Sequence, residues 1–580
     1  FAQERLWFLD RLQPASAQYN LPAALKLLGA LSVPALARAF AAIVERHAPL
    51  RATFRESVRG PRQTIAPRLE VGLPVVDLTA LPAARRERET VRLQAEEARR
   101  PFDLACGPLL RTALLALEAE SWLLLVTLHH IVSDGWSIGV LVRECAALYA
   151  AARRGEASPL PGLAADYSDF VVWQRRELRD EKLAGLLDYW RRQVADAPPL
   201  LPLPTDRPRP AEPSHRGARL PVRLPADLSA AVHRAAQKEG ATPFMALLAA
   251  FQLLLARTAG EPSVPVGTPV ANRSRSELEG LIGLFVNTLV LVGRPDERAS
   301  FRDLVRDART AVLEAHTHQE LPFERLVQEL RVERQFGHGP LFQVMLVLQN
   351  APADELRLPD LEIQPKEVFS GAAKLDLALD LTEARGELVG FLEYATDLFD
   401  RPTIQRFAGH LEILLRGLVT SPDRLLATVE HLSEAERHQL LLAWNATDGS
   451  SGAARCLHEL IAAQAERSPA GGAVEIEGTE LAYGELSIAN TRLHVLDREG
   501  RPVPIGVAGE LHIGGVGRSH LRRPELTAER FVPDPFARIS GEIGGRLYRT
   551  GDLARHLAGG EIELLGRLDQ QVRVRGGPIE

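Results

Sequence analysis

Residues 122–136 read Trp-Leu-Leu-Leu-Val-Thr-Leu-His-His-Ile-Val-Ser-Asp-Gly-Trp, and they constrain the fold more than any other stretch. The apolar run over 123–128 has the length and composition of a buried strand. It ends on two adjacent histidines, His129 and His130. Asp134 and Gly135 follow, and from Ser137 the apolar spacing is that of an amphipathic helix. Side chains of neighbouring strand residues point to opposite faces, so one histidine can face a cleft while the other faces the interior. That arrangement suits a neutral general base held by its surroundings. Asp134, on the turn, can orient a neighbour, cap the helix or form an ion pair. Gly135 permits another backbone to approach closely. Taken alone, a His-His pair beside a strand is more often structural, and the rest of the chain has to decide.

With 580 residues the chain has room for two to four domains. A net charge of −6, without any Lys/Arg-rich block, leaves no electrostatic footprint for nucleic acid. Lysine occurs only at Lys26, Lys182, Lys238, Lys366 and Lys374, the other basic residues being arginine. The cysteines, Cys106, Cys145 and Cys456, show neither metal spacing nor a disulfide framework, which fits a reducing cytoplasm. No apolar span is long enough to cross a membrane. The chain opens at Phe1 and stops inside a patterned segment, so it is expected to be part of something longer.

Residues 1–178 read as one mixed α/β block, with helices over 33–46 and 137–153 flanking the histidine strand. Residues 179–225, rich in proline, read as an extended connection. Residues 226–430 form a second α/β block. Its helices are expected over 226–239, 243–256, 301–316 and 402–418, and its strands over 264–270, 281–291, 342–349, 375–381 and 388–394. Residues 431–452 read as a short helix and linker, and 453–580 as a glycine-rich tail. His316 and His318 have no third ligand nearby, so no metal site is expected. Trp173, Phe285 and Phe323 are expected in the core, Arg46 and His47 at a helix end, and Asn287 facing the cleft.

Seven motifs then occur in order: Ala2-Gln-Glu-Arg-Leu-Trp7, Arg46-His-Ala-Pro-Leu-Arg-Ala-Thr-Phe54, His129-His-Ile-Val-Ser-Asp-Gly135, Tyr167-Ser-Asp-Phe-Val-Val-Trp-Gln174, Ile282-Gly-Leu-Phe-Val-Asn-Thr-Leu289, His318-Gln-Glu-Leu-Pro-Phe-Glu324 and Gly339-Pro-Leu-Phe-Gln343. In this set the first 430 or so residues resemble the condensation domains of non-ribosomal peptide synthetases. Only the stretch before the last motif, Arg334-Gln-Phe-Gly-His-Gly339, departs from the family pattern. The resemblance implies an α/β fold of two lobes, a chloramphenicol-acetyltransferase-like pseudo-dimer with a central tunnel. It implies amide synthesis: the amine of a downstream carrier-bound aminoacyl thioester attacks an upstream carrier-bound thioester. His130 would be the base or amine positioner, with His129, Asp134 and Gly135 in support. Backbone N–H groups near Gly135 would stabilise the oxyanion. Asp134 would pair with Arg273, and Ser137, Arg273 and Asn287 would serve the tunnel or its framework. No cofactor is implied for this domain itself; 4'-phosphopantetheine would arrive on carrier domains upstream and downstream, in a cytoplasmic multi-module assembly making a secondary metabolite.

The tail resembles pieces of the adenylation domain that usually follows. Cys456-Leu-His-Glu-Leu460 and Leu481-Ala-Tyr-Gly-Glu-Leu486 look like its beginning. The text then jumps, near 487, to segments from far downstream: Gly509-Glu-Leu-His-Ile-Gly-Gly515, Tyr548-Arg-Thr-Gly-Asp-Leu553 and Gly566-Arg-Leu-Asp-Gln-Gln-Val572. By resemblance Asp552 would hold ribose hydroxyls, Arg567 would assist and Asp569 would be a hinge. The Ser/Thr/Gly-rich phosphate loop has no counterpart and no lysine follows Lys374. ATP and Mg would belong only to an intact adenylation domain, so no adenylation is expected, and the tail is expected to pack poorly at the joint. Three other readings remain: a coenzyme-A-dependent acyltransferase of the same fold, an epimerisation domain, and a decayed module that only docks carriers.

Overall fold

The computed structural model describes residues 1–14, 16–58, 60–330, 337–349, 360–446, 492–515, 524–540 and 545–568, with two short strands, Val572–Val574 and Gly577–Ile579. Two lobes, each a sheet covered by helices, are joined through strands and loops that cross between them.

The first lobe carries β1 (Asn20–Gly29), the hairpin β2 (Ala52–Ser57) and β3 (Gly60–Ile65), then β4 (Val75–Asp77), β5 (Leu110–Glu118) and β6 (Ser121–His129). Its helices are α1 (Ala2–Leu12), α2 (Val33–Arg46), α3 (Ala83–Arg99), α4 (Gly135–Arg154) and α5 (Tyr167–Glu177). β6 lies between antiparallel β1 and β5 and is buried on both faces. Leu124, Val126 and Leu128 join the core formed with α2 and α4, while Leu123 and Leu125 join a second cluster beneath α3. Burial on both sides is why this strand reads as an unbroken apolar run rather than an alternation.

The second lobe has a six-stranded sheet. In chain order its strands are β7 (Gly217–Leu224), β8 (Val264–Val270), β9 (Asn287–Gly293), β10 (Val344–Gln349), and then, after β11 (Leu361–Lys366), β12 (Leu377–Ala384) and β13 (Glu387–Ala395). In space they run β7-β13-β12-β10-β8-β9. Helices α6 (Asp180–Gln193), α7 (Ala226–Lys238), α8 (Pro243–Ala259), α9 (Phe301–Thr317), α10 (Phe323–Glu329) and α11 (Arg401–Thr420) pack around it. α8 is apolar on nearly every side because it is the buried centre of the lobe; Leu247, Leu248, Phe251, Leu254 and Leu255 are fully enclosed.

Two sequence expectations are corrected here. Residues 179–225 are not simply an extended connection. α6 buries Leu186, Leu187 and Trp190 in the core of the second lobe, and β7 is an edge strand of its sheet. The run 281–291 is not one strand, since β9 begins at Asn287. Residues 281–286 leave the second lobe in irregular conformation and bury Leu281, Ile282, Leu284 and Phe285 in the core of the first. Their apolar character reflects burial, not pairing. β11 makes the other crossing, adding an edge strand to β1 of the first lobe.

The tail strands β14 (Arg492–Leu496), β15 (Gly509–Gly514), β16 (Phe531–Pro533), β17 (Arg546–His556) and β18 (Ile562–Arg567) form a sheet with two small buried clusters. The joint near 487, where poor packing is expected, lies outside the described residues. The described tail strands dock on the second lobe. Arg257 donates to Glu297 at 2.8 and 2.9 Å, and Arg501 donates to the same carboxylate at 3.1 and 3.0 Å and to Ala427 O. Burial would raise the Glu297 pKa, but the two guanidinium groups outweigh it and hold the carboxyl down to about 2. Replacing Glu297 with Ala strands a nearly enclosed Arg257 and releases Arg501. We expect a loss of about 3 kcal/mol, as for one-sided removal of a buried ion pair, measured by urea unfolding, with faster proteolysis of the tail.

Candidate active site

β6 ends at His129, and the chain turns at once through a short 3-10 segment, His130–Val132. The two histidines are therefore separated by the end of the strand rather than by strand alternation, which corrects the expectation from sequence. His129 is buried, and its Nδ1 accepts the Ile131 N–H at 3.1 Å. Its ring meets Phe102 edge-on at 5.8 Å and Tyr19 at 6.5 Å. Burial, with the charges of His130, Lys374 and Arg111, pushes its pKa down to about 3. His130 is only half-buried. Its backbone N–H is fixed to Tyr19 O at 2.8 Å. Its Nδ1 is sealed from solvent and has no hydrogen-bond partner of normal geometry. Burial, followed by the charge of Lys374, pushes its pKa down to about 4 against the opposing pull of Asp134. His130 is thus neutral at physiological pH.

Asp134 caps α4 and is almost fully enclosed. Oδ1 accepts from Ser137 N–H at 2.8 Å and from Ser137 Oγ at 2.7 Å. Oδ2 accepts the backbone N–H groups of Phe285 and Val286 at 2.9 and 3.1 Å. Arg273 Nη2 lies 3.2 Å from Oδ1 and also donates to Ser137 Oγ at 3.0 Å. The remaining face of Arg273 is occupied by the carbonyls of Leu278 and Leu281 and by the Phe285 ring, 4.0 Å from the guanidinium carbon. Ser137 Oγ also receives the Gly283 N–H at 3.1 Å. A Cβ at Gly283 would sit 2.3 Å from the Tyr167 ring, so only glycine allows that approach. One carboxylate thereby ties the start of α4 to the crossing segment 281–286.

The other motifs close on the same point. Gln3 Nε2 donates to Ile131 O at 2.9 Å, bracing the histidine turn. Arg46 and His47 bind Glu144 of α4 at 3.0 and 2.7 Å, and His47 Nδ1 accepts the Ile282 N–H. Tyr167 donates its hydroxyl to Leu284 O at 2.9 Å. Gln343 clamps Pro199, Leu201 and Gly339 through their backbones. Between the lobes a cavity of about 840 Å³ is bordered by Tyr19 and His129 on one side and Lys374, Asp376 and Gln343 on the other. A condensation-domain model matches residues 1–441.

The chain belongs to the condensation-domain family.

Two relatives fix its context. It is 43% identical over 503 residues to a component of the linear gramicidin synthase of Brevibacillus parabrevis, covering 86% of this chain and 6% of that protein. It is 43% identical over 512 residues to a phosphinothricin tripeptide synthetase of Streptomyces viridochromogenes, covering 88% of this chain and 47% of that protein. The chain therefore spans less than half the length of both. Among solved structures, the X-domain from teicoplanin biosynthesis superposes with a TM-score of 0.69 at 31% identity, over 74% of this chain and 96% of that one. A four-domain nonribosomal peptide synthetase bound to AMP and glycine has the same fold over 100% of this chain and 65% of its own, with a TM-score of 0.78 at 19% identity. Residues 1–441 are a condensation domain of nonribosomal peptide synthetases, an amide-forming acyltransferase.

Within the condensation domain, Asn287 does not present its amide to the cleft. Nδ2 donates to Gln319 O and Leu321 O, both at 2.8 Å, and Oδ1 accepts from Phe323 N–H and Thr288 N–H, both at 2.9 Å. Its full hydrogen-bonding capacity holds the loop into α10, which corrects the cleft-facing expectation. Gly135 is the exposed first residue of α4, and nothing lies within 4 Å of where a Cβ would stand. No element of the fold explains the glycine. In the tail, Arg567 Nη1 donates to Asp552 at 2.9 Å across paired β17 and β18; Asp569 lies outside the described residues. No motif flags Lys374. Its one signal in the sequence is the rarity of lysine in a chain that otherwise uses arginine.

Asp134→Ala removes the shared acceptor and leaves Arg273 buried without its carboxylate. We expect a loss of about 3–5 kcal/mol, read as a lower urea midpoint. Asp134→Asn does not rescue it, because one end of the amide turns a donor toward N–H groups.

Proposed function

We propose that His130 is the base or amine positioner for condensation between two carrier-bound thioesters. The observation that carries this reading is the state of the two imidazoles. Both are neutral; the His129 Nδ1 is committed to the Ile131 N–H, whereas His130, the residue after the cavity-lining His129, is half-buried and its Nδ1 has no hydrogen-bond partner. The downstream aminoacyl amine attacks the upstream thioester carbonyl, forming a C–N bond. The C–S bond then breaks, the upstream thiol leaves, and the nitrogen's surplus proton passes by way of His130 to the sulfur. The open space at Gly135, on the N-terminal turn of a 20-residue helix, is suited to the close approach of a substrate arm. Asp134, Ser137 and Arg273 position the turn and do not react.

The carriers, each bringing its phosphopantetheine thioester, would dock upstream and downstream within a cytoplasmic multi-module synthetase. The tail reads as part of an adenylation domain from which the phosphate loop is missing. Asp552, the ribose-binding position by resemblance, is engaged by Arg567. Adenylation is therefore not assigned to this chain.

Two carriers loaded with defined aminoacyl groups should give dipeptidyl thioester with the native protein. His130→Ala should lower the rate by about 10²-fold or more, as expected for loss of an acid–base group. A folded, carrier-binding native protein that forms no amide would refute the reading. Gly135→Val should leave the unfolding midpoint nearly unchanged and slow amide formation. ATP with single amino acids should give no pyrophosphate exchange.

A further inference from the structure

Lys374 borders the inter-lobe cavity of about 840 Å³, shortly before β12. Its backbone is held in place: the preceding Ala373 N–H donates to His215 O at 2.9 Å, and Asp376 N–H donates to Gln343 O at 3.1 Å. Gly217 packs so closely on this segment that a Cβ there would come within 2.6 Å of the Ala373 Cβ. The Lys374 side chain itself is exposed, with Nζ 5.1 Å from the centroid of the Tyr19 ring. The Tyr19 ring in turn lies 6.5 Å from that of His129, and both residues border the cavity.

The charges of this wall are matched except at Lys374. Arg5 is paired with Glu324 at 3.3 Å, Arg209 with Asp376, and Arg325 with Glu329 at 2.6 Å. Among the described residues no carboxylate lies within 4.0 Å of the Lys374 ammonium, and none of its N–H groups has an acceptor in the chain. Asp10 and Glu212 border the cavity without an ion pair, but neither comes within that distance. Much of the remaining lining is apolar, contributed by Phe8, Leu9 and Leu12 of α1 with Val327, Leu375 and Leu398.

We propose that Lys374 is a specificity-determining residue of the condensation site, the anchor for a carboxylate carried on one of the two thioester-bound acyl groups.

A charge in an apolar enclosure is costly until something compensates it. A neutral carbonyl would accept one N–H and leave the charge standing; a carboxylate both accepts and neutralises. Burial brings the ammonium down to about 8, against the pull of Glu393, so it is still charged at neutral pH. The phosphate of a pantetheine arm is the other anion brought to such a site, but it sits at the end of the arm remote from the thioester. Lys374 stands one aromatic ring away from His129, at the reacting end. The apolar side chains around it suit the methylene groups between that carboxylate and the thioester.

This inference rests on the cavity serving condensation, and its test separates the two. With only five lysines, ¹³C-lysine labelling of the full chain is readable, and Lys374→Arg assigns the Lys374 signal by its loss. Glutaryl-pantetheine should shift that signal, and its uncharged terminal-amide analogue should not. Equal shifts from the two overturn the inference, as does an equal shift from unacylated 4'-phosphopantetheine. In the two-carrier assay a glutamyl group on one of the carriers should exceed glutaminyl in kcat/KM by about tenfold or more, the scale of one charge-assisted hydrogen bond, and Lys374→Met should bring that ratio close to unity. A preference on the upstream carrier places the carboxylate on the acyl donor, and one on the downstream carrier places it on the amine; either supports the anchor. Lys374→Glu should turn the preference toward ornithyl. No preference on either carrier, or one that survives in Lys374→Met, overturns the inference. Absence of amide product from the folded native protein would instead overturn condensation, and the titration, which needs no catalysis, still decides whether Lys374 binds the carboxylate.

Discussion

The buried carboxylate of Asp134 is the interaction on which the rest of the site depends. It accepts from Ser137 twice, from two backbone N–H groups of the crossing segment, and from Arg273. An isolated carboxylate enclosed this completely would be prohibitively costly. Here every oxygen lone pair has a donor, and four of the five donors are themselves fixed by α4 or by segment 281–286. The same carboxylate sets where α4 begins and where the second lobe enters the first. The His130 turn lies only a few residues upstream, between the end of β6 and this anchor, and so has little freedom to drift.

The parts of the fold that can be read from sequence are those in which burial repeats along one element. β6 and α8 are enclosed on every side, and α2, α9 and α11 bury a regular stripe, so their apolar patterns announce them. β1 escapes such a reading because Pro22 and Lys26 interrupt its pattern; in the structure Pro22 pairs opposite Thr127 and Lys26 opposite Leu123. β11 escapes it for another reason. Its partner strand lies more than 300 residues away in sequence, and no local signal says which lobe it will join. Segment 281–286 shows the limit of an apolar run as evidence, since depth and pairing leave the same trace.

The site is partly legible for a related reason. The ordered motifs are mostly clamps on backbone atoms: Gln3 on Ile131, Tyr167 on Leu284, Asn287 on the loop before α10, Gln343 on the crossover at Pro199. Such roles demand a particular side chain at a particular place, which makes the motifs specific while saying little about chemistry. Asn287 misleads because a polar residue at the end of an apolar strand looks the same whether it binds substrate or backbone.

The environment of His130 also bears on what kind of nucleophile the site is built for. Where a histidine must strip a proton from a hydroxyl, a carboxylate on its far nitrogen stabilises the imidazolium that forms. Here the carboxylate of Asp134 is fully committed elsewhere, and Nδ1 has no hydrogen-bond partner. Burial and Lys374 weaken the base further. An amine needs no such help to attack. Its proton becomes acidic only after the C–N bond forms, and a weak, neutral, well-held imidazole can take it then and release it readily to a departing thiolate. A neutral imidazole held in this way fits the attack of an amine on a thioester proposed for this site.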